Sequence, residues 1–406
     1  MSNRSSWLVA FVVLLIAAMC PSQGSSQTIS TSGAASYRVG TFIPDGTLRS
    51  PNSVEVDKSG NIYVQDSGNF VVRKYNSAGT GQVLAGVSGT NQKYVKQTVP
   101  NANRVKGQCY TETGVHCQSN QAILSSPRDV AIDKAGNVYI SDISSGKIKK
   151  IDIKTGVITT YAGGVNGGWS SLQLHAPSGM AIDAKGNLYI ADKVNNAVRE
   201  ITPPVKPAKV GTILTIAGLG PDQPGCSTEG AVAATSMLNR PQDVALDSAG
   251  NIYIADTGCR KVRKIATDGT ISTVAGTGAN HVGIPPEVPF TASSGVATAV
   301  NLGNPIGIAI DKSGNLLISD PGFDVVWFYN ASAGTIQILA GLAPQASVCA
   351  TSSNPQGDGC HSDAAFLNVP GKPAIDASGN IYIPEQGGTK NPTHPFTVRV
   401  LRPSAP

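Results

Sequence analysis

Charge and aromatic rings are scarce in this chain. Only 14% of its 406 residues are Asp, Glu, Lys or Arg, and 5% are Phe, Trp or Tyr. The net charge of +5 has no clustered source, because no run of five or more lysines and arginines occurs. That speaks against a nucleic-acid surface. Beyond the N-terminal residues no stretch is long and apolar enough to cross a bilayer. No C-x2-C or H-E-x-x-H spacing is present, so the local signatures of structural zinc and of zinc hydrolases are missing. No nucleophile elbow, phosphate loop or dinucleotide fingerprint occurs in a strand–turn–helix setting, and no convincing helix could support one.

What is abundant is Gly (45) and Pro (26), the residues of tight turns. Trp7 to Ala18 is an unbroken apolar run preceded by Arg4. It is too short to span a membrane and has the form of a secretory signal, with cleavage expected in Ser22–Ser26. Cys20 is where a lipid anchor would attach, but Met19 stands where a lipobox wants a small residue. Plain export is therefore the expectation, to the periplasm, the medium or the cell surface. Residues 1–26 are assigned to the signal peptide and 27–35, rich in Ser, Thr and Gly, to a flexible segment. Export permits disulfides. Without Cys20 six cysteines remain, Cys109, Cys117, Cys226, Cys259, Cys349 and Cys360, enough for three bridges in any of about fifteen pairings. Cys109/Cys117 and Cys349/Cys360 are close in sequence, and Cys226/Cys259 would pin an insertion to its own repeat.

The organising feature is a repeat. Ala131 to Asp142 reads as an apolar strand ending in Asp, a turn closing on Gly-Asn, and a second apolar strand ending in an acid. Near-copies run from Glu55 to Asp66, Ala181 to Asp192, Ala245 to Asp256, Ala309 to Asp320 and Ala374 to Glu385. The fullest copy, opening at Pro241, continues into two more alternating strands, giving a four-stranded meander. Its second strand, Ile252-Tyr-Ile254, is apolar on both faces, as in sheets packed on both sides and unlike a lone sheet with one wet face. That predicts an all-β ring of blades. Repeats begin near 51, 127, 177, 241, 305 and 370, so one domain over 36–406 holds six blades. The last repeat ends after three strands, and Tyr37 to Ile43 is an orphan strand able to complete it and remove an exposed edge. The long insertions all fall between the fourth strand of one repeat and the first of the next, which builds up one face of the ring.

The run from Pro241 to Asp256, followed by Arg260-Lys-Val-Arg-Lys264, resembles an NHL repeat, and the linkers Val274–Gly278 and Gly357–Pro370 are similar to those of exported bacterial NHL propellers. This resemblance covers nearly the whole chain after the N-terminal segment and implies a six-bladed β-propeller of four-stranded blades. For activity it implies a non-catalytic scaffold binding a protein, peptide or glycan on the long-loop face. The alternative it leaves open is a metal-dependent lyase or hydrolase with its site near the axis on that face, where calcium or zinc would be the cofactor. A monomer without nucleic-acid partners is expected.

The acids ending the second strands, Asp66, Asp142, Asp192, Asp256, Asp320 and Glu385, recur once per blade. They read either as an acidic ring for a cation or as acceptors of backbone N–H groups in their own loops. A residue repeated in every blade favours the structural role. Asp142, Asp192, Asp256 and Asp320 are nevertheless kept as ligand candidates, with Trp169, which follows Gly167 and Gly168 in an insertion, and His175, whose loop is short. All five histidines (His116, His175, His281, His361, His394) fall on the long-loop face, and His394 ranks after His175 as a metal ligand or base. Asp57, Asp311 and their counterparts beside Gly-Asn are expected to form the turns.

Overall fold

A computed structural model describes residues 37–44, 46–88, 117–164, 173–203, 212–279, 294–341, 362, 366–387 and 396–403. Six antiparallel sheets succeed one another around an axis as the blades of a propeller. The inner strands are Pro51–Val56, Pro127–Ile132, Pro177–Ile182, Asp243–Leu246, Gly307–Ile310 and Ala374–Ile375. In each blade a hairpin leads to a five-residue second strand, and five of these six (Ile62–Asp66, Val138–Asp142, Ile252–Asp256, Leu316–Asp320 and Ile381–Glu385) are buried at every position. Neighbouring blades cover both faces of such a strand, which is why its apolar run does not alternate. The six apolar clusters each lie between successive sheets; one joins Tyr253 and Val262 of the fourth blade to Leu316 and Trp327 of the fifth.

The ring closes as the orphan strand implied. Tyr37–Ile43 pairs antiparallel with Thr397–Pro403, from Tyr37 opposite Pro403 to Ile43 opposite Val398. The sixth blade is thus built from both ends of the propeller. Its inner strand also meets that of the first: Val54 N–H donates to the Lys372 carbonyl (3.2 Å) and Lys372 N–H to the Asn52 carbonyl (2.9 Å).

One expectation is corrected. Blades two, four and five have five strands, not four. Cys117–Gln118, Ala231–Val232 and Ser294–Val296 each pair with the outer strand of the blade that follows in sequence. Part of each insertion therefore runs down the rim and caps an open sheet edge. It then makes a 3-10 turn that bonds to the preceding blade: Gly86, Gly218 and Gly276 donate to the carbonyls of Ser119, Ser236 and Ala297 at 3.0, 3.1 and 3.0 Å. Strands of two or three residues are too short to show an alternating pattern, so the sequence does not reveal them.

Candidate functional site: the propeller axis

The repeated hairpin has the same bonding in every blade. In the second blade Asp133 Oδ1 accepts from the N–H groups of Ala135 and Asn137, both at 2.9 Å, and Oδ2 accepts from Asn137 Nδ2 at 2.8 Å. Asp57, Asp183, Asp247, Asp311 and Asp376 do likewise. Gly136 has φ +87°, a value that suits glycine and strains a residue with Cβ. These aspartates are the turn formers expected of them.

The acids ending the second strands are equally engaged. Each accepts the N–H of the residue 17 positions earlier: Asp66 from Arg49, Asp142 from Ser125, Asp192 from His175, Asp256 from Asn239, Asp320 from Gly303 and Glu385 from Asn368. The donors lie in the connection that enters the blade, whereas the sequence pointed to the loop that leaves the acid. That second loop contributes as well, through Asn69, Asn195 and Gly322. One residue before each donor is a buried leucine: Leu48, Leu124, Leu174, Leu238, Leu302 and Leu367. The acid thus pins an apolar plug into the seam between blades. In the third strand a basic residue faces the carboxylate in several blades, with Arg73 Nε 3.1 Å from Asp66; in the fifth blade Trp327 Nε1 takes that place, 3.2 Å from Asp320. Burial pushes Asp192 up to about 6 and Asp256 up to about 7, against the bonds from His175 and Asn239 and the nearby arginines. Asp66, Asp320 and Glu385 are raised for the same reason.

Of the other candidates, His175 is half-buried. Its N–H is held by Asp192 at 2.7 Å and its carbonyl accepts from Val194 at 3.1 Å. Trp169, His116, His281, His361 and His394 lie outside the described residues, as do Cys109, Cys349 and Cys360. Cys226 and Cys259 form a disulfide, and Cys117 is also disulfide-bonded. Among the described residues no three His, Cys, Asp or Glu side chains converge as metal ligands, and no helix there is long and apolar enough to cross a membrane.

The polar groups that converge lie on the axis itself. The inner strands present Ser53, Asp129, Gly179, Asp243, Gly307 and Lys372 at one level. Lys372 Nζ reaches Asp129 Oδ2 at 2.8 Å, Asp243 Oδ1 at 3.0 Å and the Met180 carbonyl at 2.9 Å, all buried. Burial opposes the ammonium, but Asp129, Asp243 and Glu55 outweigh it and hold Lys372 charged well above the ordinary lysine range. The glycines make room: a Cβ on Gly179 would lie 1.9 Å from Asp243 Oδ1, and one on Gly307 would lie 2.6 Å from Lys372 Cα. Toward the long-loop end Arg128 bonds Asn52 Oδ1 (2.6 Å) and Gln242 Oε1 (3.3 Å), and Lys193 approaches the same Gln242 oxygen at 3.4 Å. Burial, with Arg128 and Arg240 close by, lowers Lys193 to about 8.

Toward the short-turn end lies a cavity of about 250 Å³. Its tier next to the waist is Ala131, Ala181, Ala245, Ala309 and Ala374, with Glu55 in the sixth place. Ile132, Ile182, Leu246, Ile310 and Ile375 form the next tier and are half-buried. Burial pushes Glu55 up to about 7; Lys372 pulls it down, and Asp129 and Asp243 push it further up. Sequence reasoning about function did not single out Glu55, although the repeat alignment exposes it as the acid where five copies have alanine.

A closed ring of six blades with a polar plug at its waist defines a β-propeller. The model of the NHL repeat family matches residues 238–260, the copy in the fourth blade, and the chain is a six-bladed propeller that carries an NHL repeat there. NHL repeat-containing protein 2 of Gallus gallus is 31% identical over 127 residues, 31% of this chain and 14% of that protein. Teneurin-1 of Gallus gallus is 30% identical over 249 residues, 56% of this chain and 9% of that protein. The chain therefore matches only a small part of either curated relative. Among solved structures, an auxiliary nutrient binding protein from Bacteroides thetaiotaomicron superposes with a TM-score of 0.57 at 12% identity, covering 91% of this chain and 76% of that one. At that identity the likeness is one of fold.

Proposed function

We propose that this propeller is an exported, non-catalytic scaffold that binds a protein, peptide or glycan through its long-loop face. The observation that carries this reading is directional. Every connection from an outer strand to the next inner strand leaves the blades at one end, and the frame's own acids at that end are occupied by backbone. Most of the variation is thus carried by loops mounted at one end of a rigid ring, the usual placement of recognition surfaces; the exception is the longer connection from Ile201 to Ile213 in the third blade. The signal-like N-terminus and the Cys226–Cys259 disulfide support export. Trp169 and His175 are the anchors we assign on this face.

Peptide and glycan arrays probed with residues 36–406 test the reading. Hits are expected that weaken on Trp169→Ala while thermal stability holds. Hits indifferent to Trp169→Ala, to His175→Ala and to removal of the insertions would overturn it. A scaffold of this kind works without calcium or zinc, so chelation is expected to leave both hits and stability unchanged. Loss of both, restored by zinc or calcium, would favour the metal-dependent lyase or hydrolase.

A further inference from the structure

We infer that the axial cavity at the short-turn end is a binding site for a small organic cation, a primary or quaternary amine with an apolar body, whose charge is received by Glu55. This site is separate from the loop face and lies at the opposite end of the axis, so either reading can fail without the other.

The inner strands place a small residue at this level in five blades, and the sixth has a carboxyl group aimed into the space the alanines leave. That carboxyl is not needed to balance the waist. Lys372 has one positive charge and already faces two carboxylates, Asp129 at 2.8 Å and Asp243 at 3.0 Å. Arg128 lies beyond them, bonded to Asn52 and Gln242 toward the long-loop end. Glu55 is therefore a third acid on a wall with a single ammonium, whose charge it shares with Asp129 and Asp243. Alone it must stay partly protonated or remain an uncompensated charge. A ligand ammonium supplies the missing charge. Above Glu55 the half-buried ring of Ile132, Ile182, Leu246, Ile310 and Ile375 would take the ligand's apolar part and strip water from the ion pair. An apolar cavity of about 150 Å³ holds a benzene, so about 250 Å³ suits a ligand of roughly ten heavy atoms or fewer. A polar residue that breaks an apolar repeat at a stability cost is where function is to be sought.

The test is calorimetric titration of residues 36–406 near pH 8 with butylammonium and choline, and with butanol and butyrate as the neutral and anionic counterparts. Both cations are expected to bind and the counterparts to fail. Glu55→Gln, which keeps the shape and removes the charge, and Glu55→Ala, which makes the tier uniform, are each expected to weaken binding at least about tenfold while urea unfolding shows an intact fold. Binding is expected to weaken as pH falls below about 7, since a protonated Glu55 cannot pair with the cation. Absence of binding up to about 10 mM of either cation, equal binding of butanol, or undiminished binding by Glu55→Gln would each overturn the inference.

Discussion

Replacing Asp320 by Asn removes one charge and changes almost no volume, so it isolates what the repeated acid does. Asp320 Oδ1 accepts from Asn304 N–H at 2.6 Å and Gly322 N–H at 3.2 Å; Oδ2 accepts from Gly303 N–H at 2.7 Å and Trp327 Nε1 at 3.2 Å. All four partners are donors. An asparagine can satisfy two with its oxygen, and its own NH₂ must then face the other two. Hydrogen bonds to a charged acceptor contribute about 1.5–3 kcal/mol each, and an orphaned buried donor costs a similar amount. Against this, the ionised carboxylate is itself opposed by burial, which raises its pKa; the amide escapes that opposition. The net expectation is a loss of about 3 kcal/mol. With about 2.1 cal/mol/K of unfolding entropy per residue over a propeller of about 370 residues, that lowers Tm by roughly 4 °C. The assays are urea unfolding and amide exchange, with Gly303 and Asn304 losing protection as the Leu302 plug loosens. A change below about 0.5 kcal/mol, with Gly303 and Asn304 still protected, would refute the reasoning and return the second-strand acids to the pool of ligand groups.

Four further outcomes follow from the same structure. Lys372→Met leaves Asp129 and Asp243 facing each other without a cation and should destabilise by about 3–5 kcal/mol; because Asp243, already raised by burial, would lose the ammonium that pulls it down, the loss should grow as pH rises, as denaturant midpoints across pH would show. Breaking Cys226–Cys259, whose halves are 33 residues apart, should lower stability by about 3–4 kcal/mol on the loop-entropy argument, measurable with the Cys226→Ser/Cys259→Ser double variant. Gly179→Ala places a Cβ 1.9 Å from Asp243 Oδ1 and should destabilise far more than Gly164→Ala, which meets nothing within 4 Å, although both lie in one chain and differ by the same methyl group. Deleting residues 37–43 opens the sixth blade along Thr397–Pro403, and light scattering should then reveal association through the exposed edge.

Much of the architecture could be read from the chain because each blade is a local object. The hairpin of Ala131 to Asp142 contains its turn former, its Gly-Asn corner and both strands within twelve residues, and six copies make the pattern unmistakable. The closing strand was legible for the same reason: Tyr37 to Ile43 had no partner nearby and the last repeat lacked one. Other features were hidden by spacing. The plugging leucines keep a fixed distance from the acid that follows them, but insertions of unequal length precede them, so alignment from the front of each repeat obscures them. The rim strands are too short to show a period. The waist is the extreme case: Lys372 and Asp129 are 243 positions apart, and only closure of the ring brings them together. Glu55 was visible in the first copy of the motif, yet its meaning needed the inner strands arranged in a circle, where one acid stands among five alanines.

If what repeats in this chain is frame and what breaks the repeat is function, Asp320 and Glu55 must differ in the sign of their effect on stability. Urea unfolding near pH 8 of Asp320→Asn beside Glu55→Ala tests that most directly. Glu55 is raised from 4.5 to about 7; an acid with a raised folded pKa makes stability fall as pH climbs through that window, and the opposition is fully felt above it. At about 1.4 kcal/mol for each tenfold shift, removing the carboxyl should stabilise the ligand-free propeller by up to about 3 kcal/mol, and by nothing below about pH 4.5. Opposite signs for the two variants, Asp320→Asn less stable and Glu55→Ala more stable than the parent, are the predicted result. Loss of stability in both would contradict the account, because Glu55 would then be one more part of the frame.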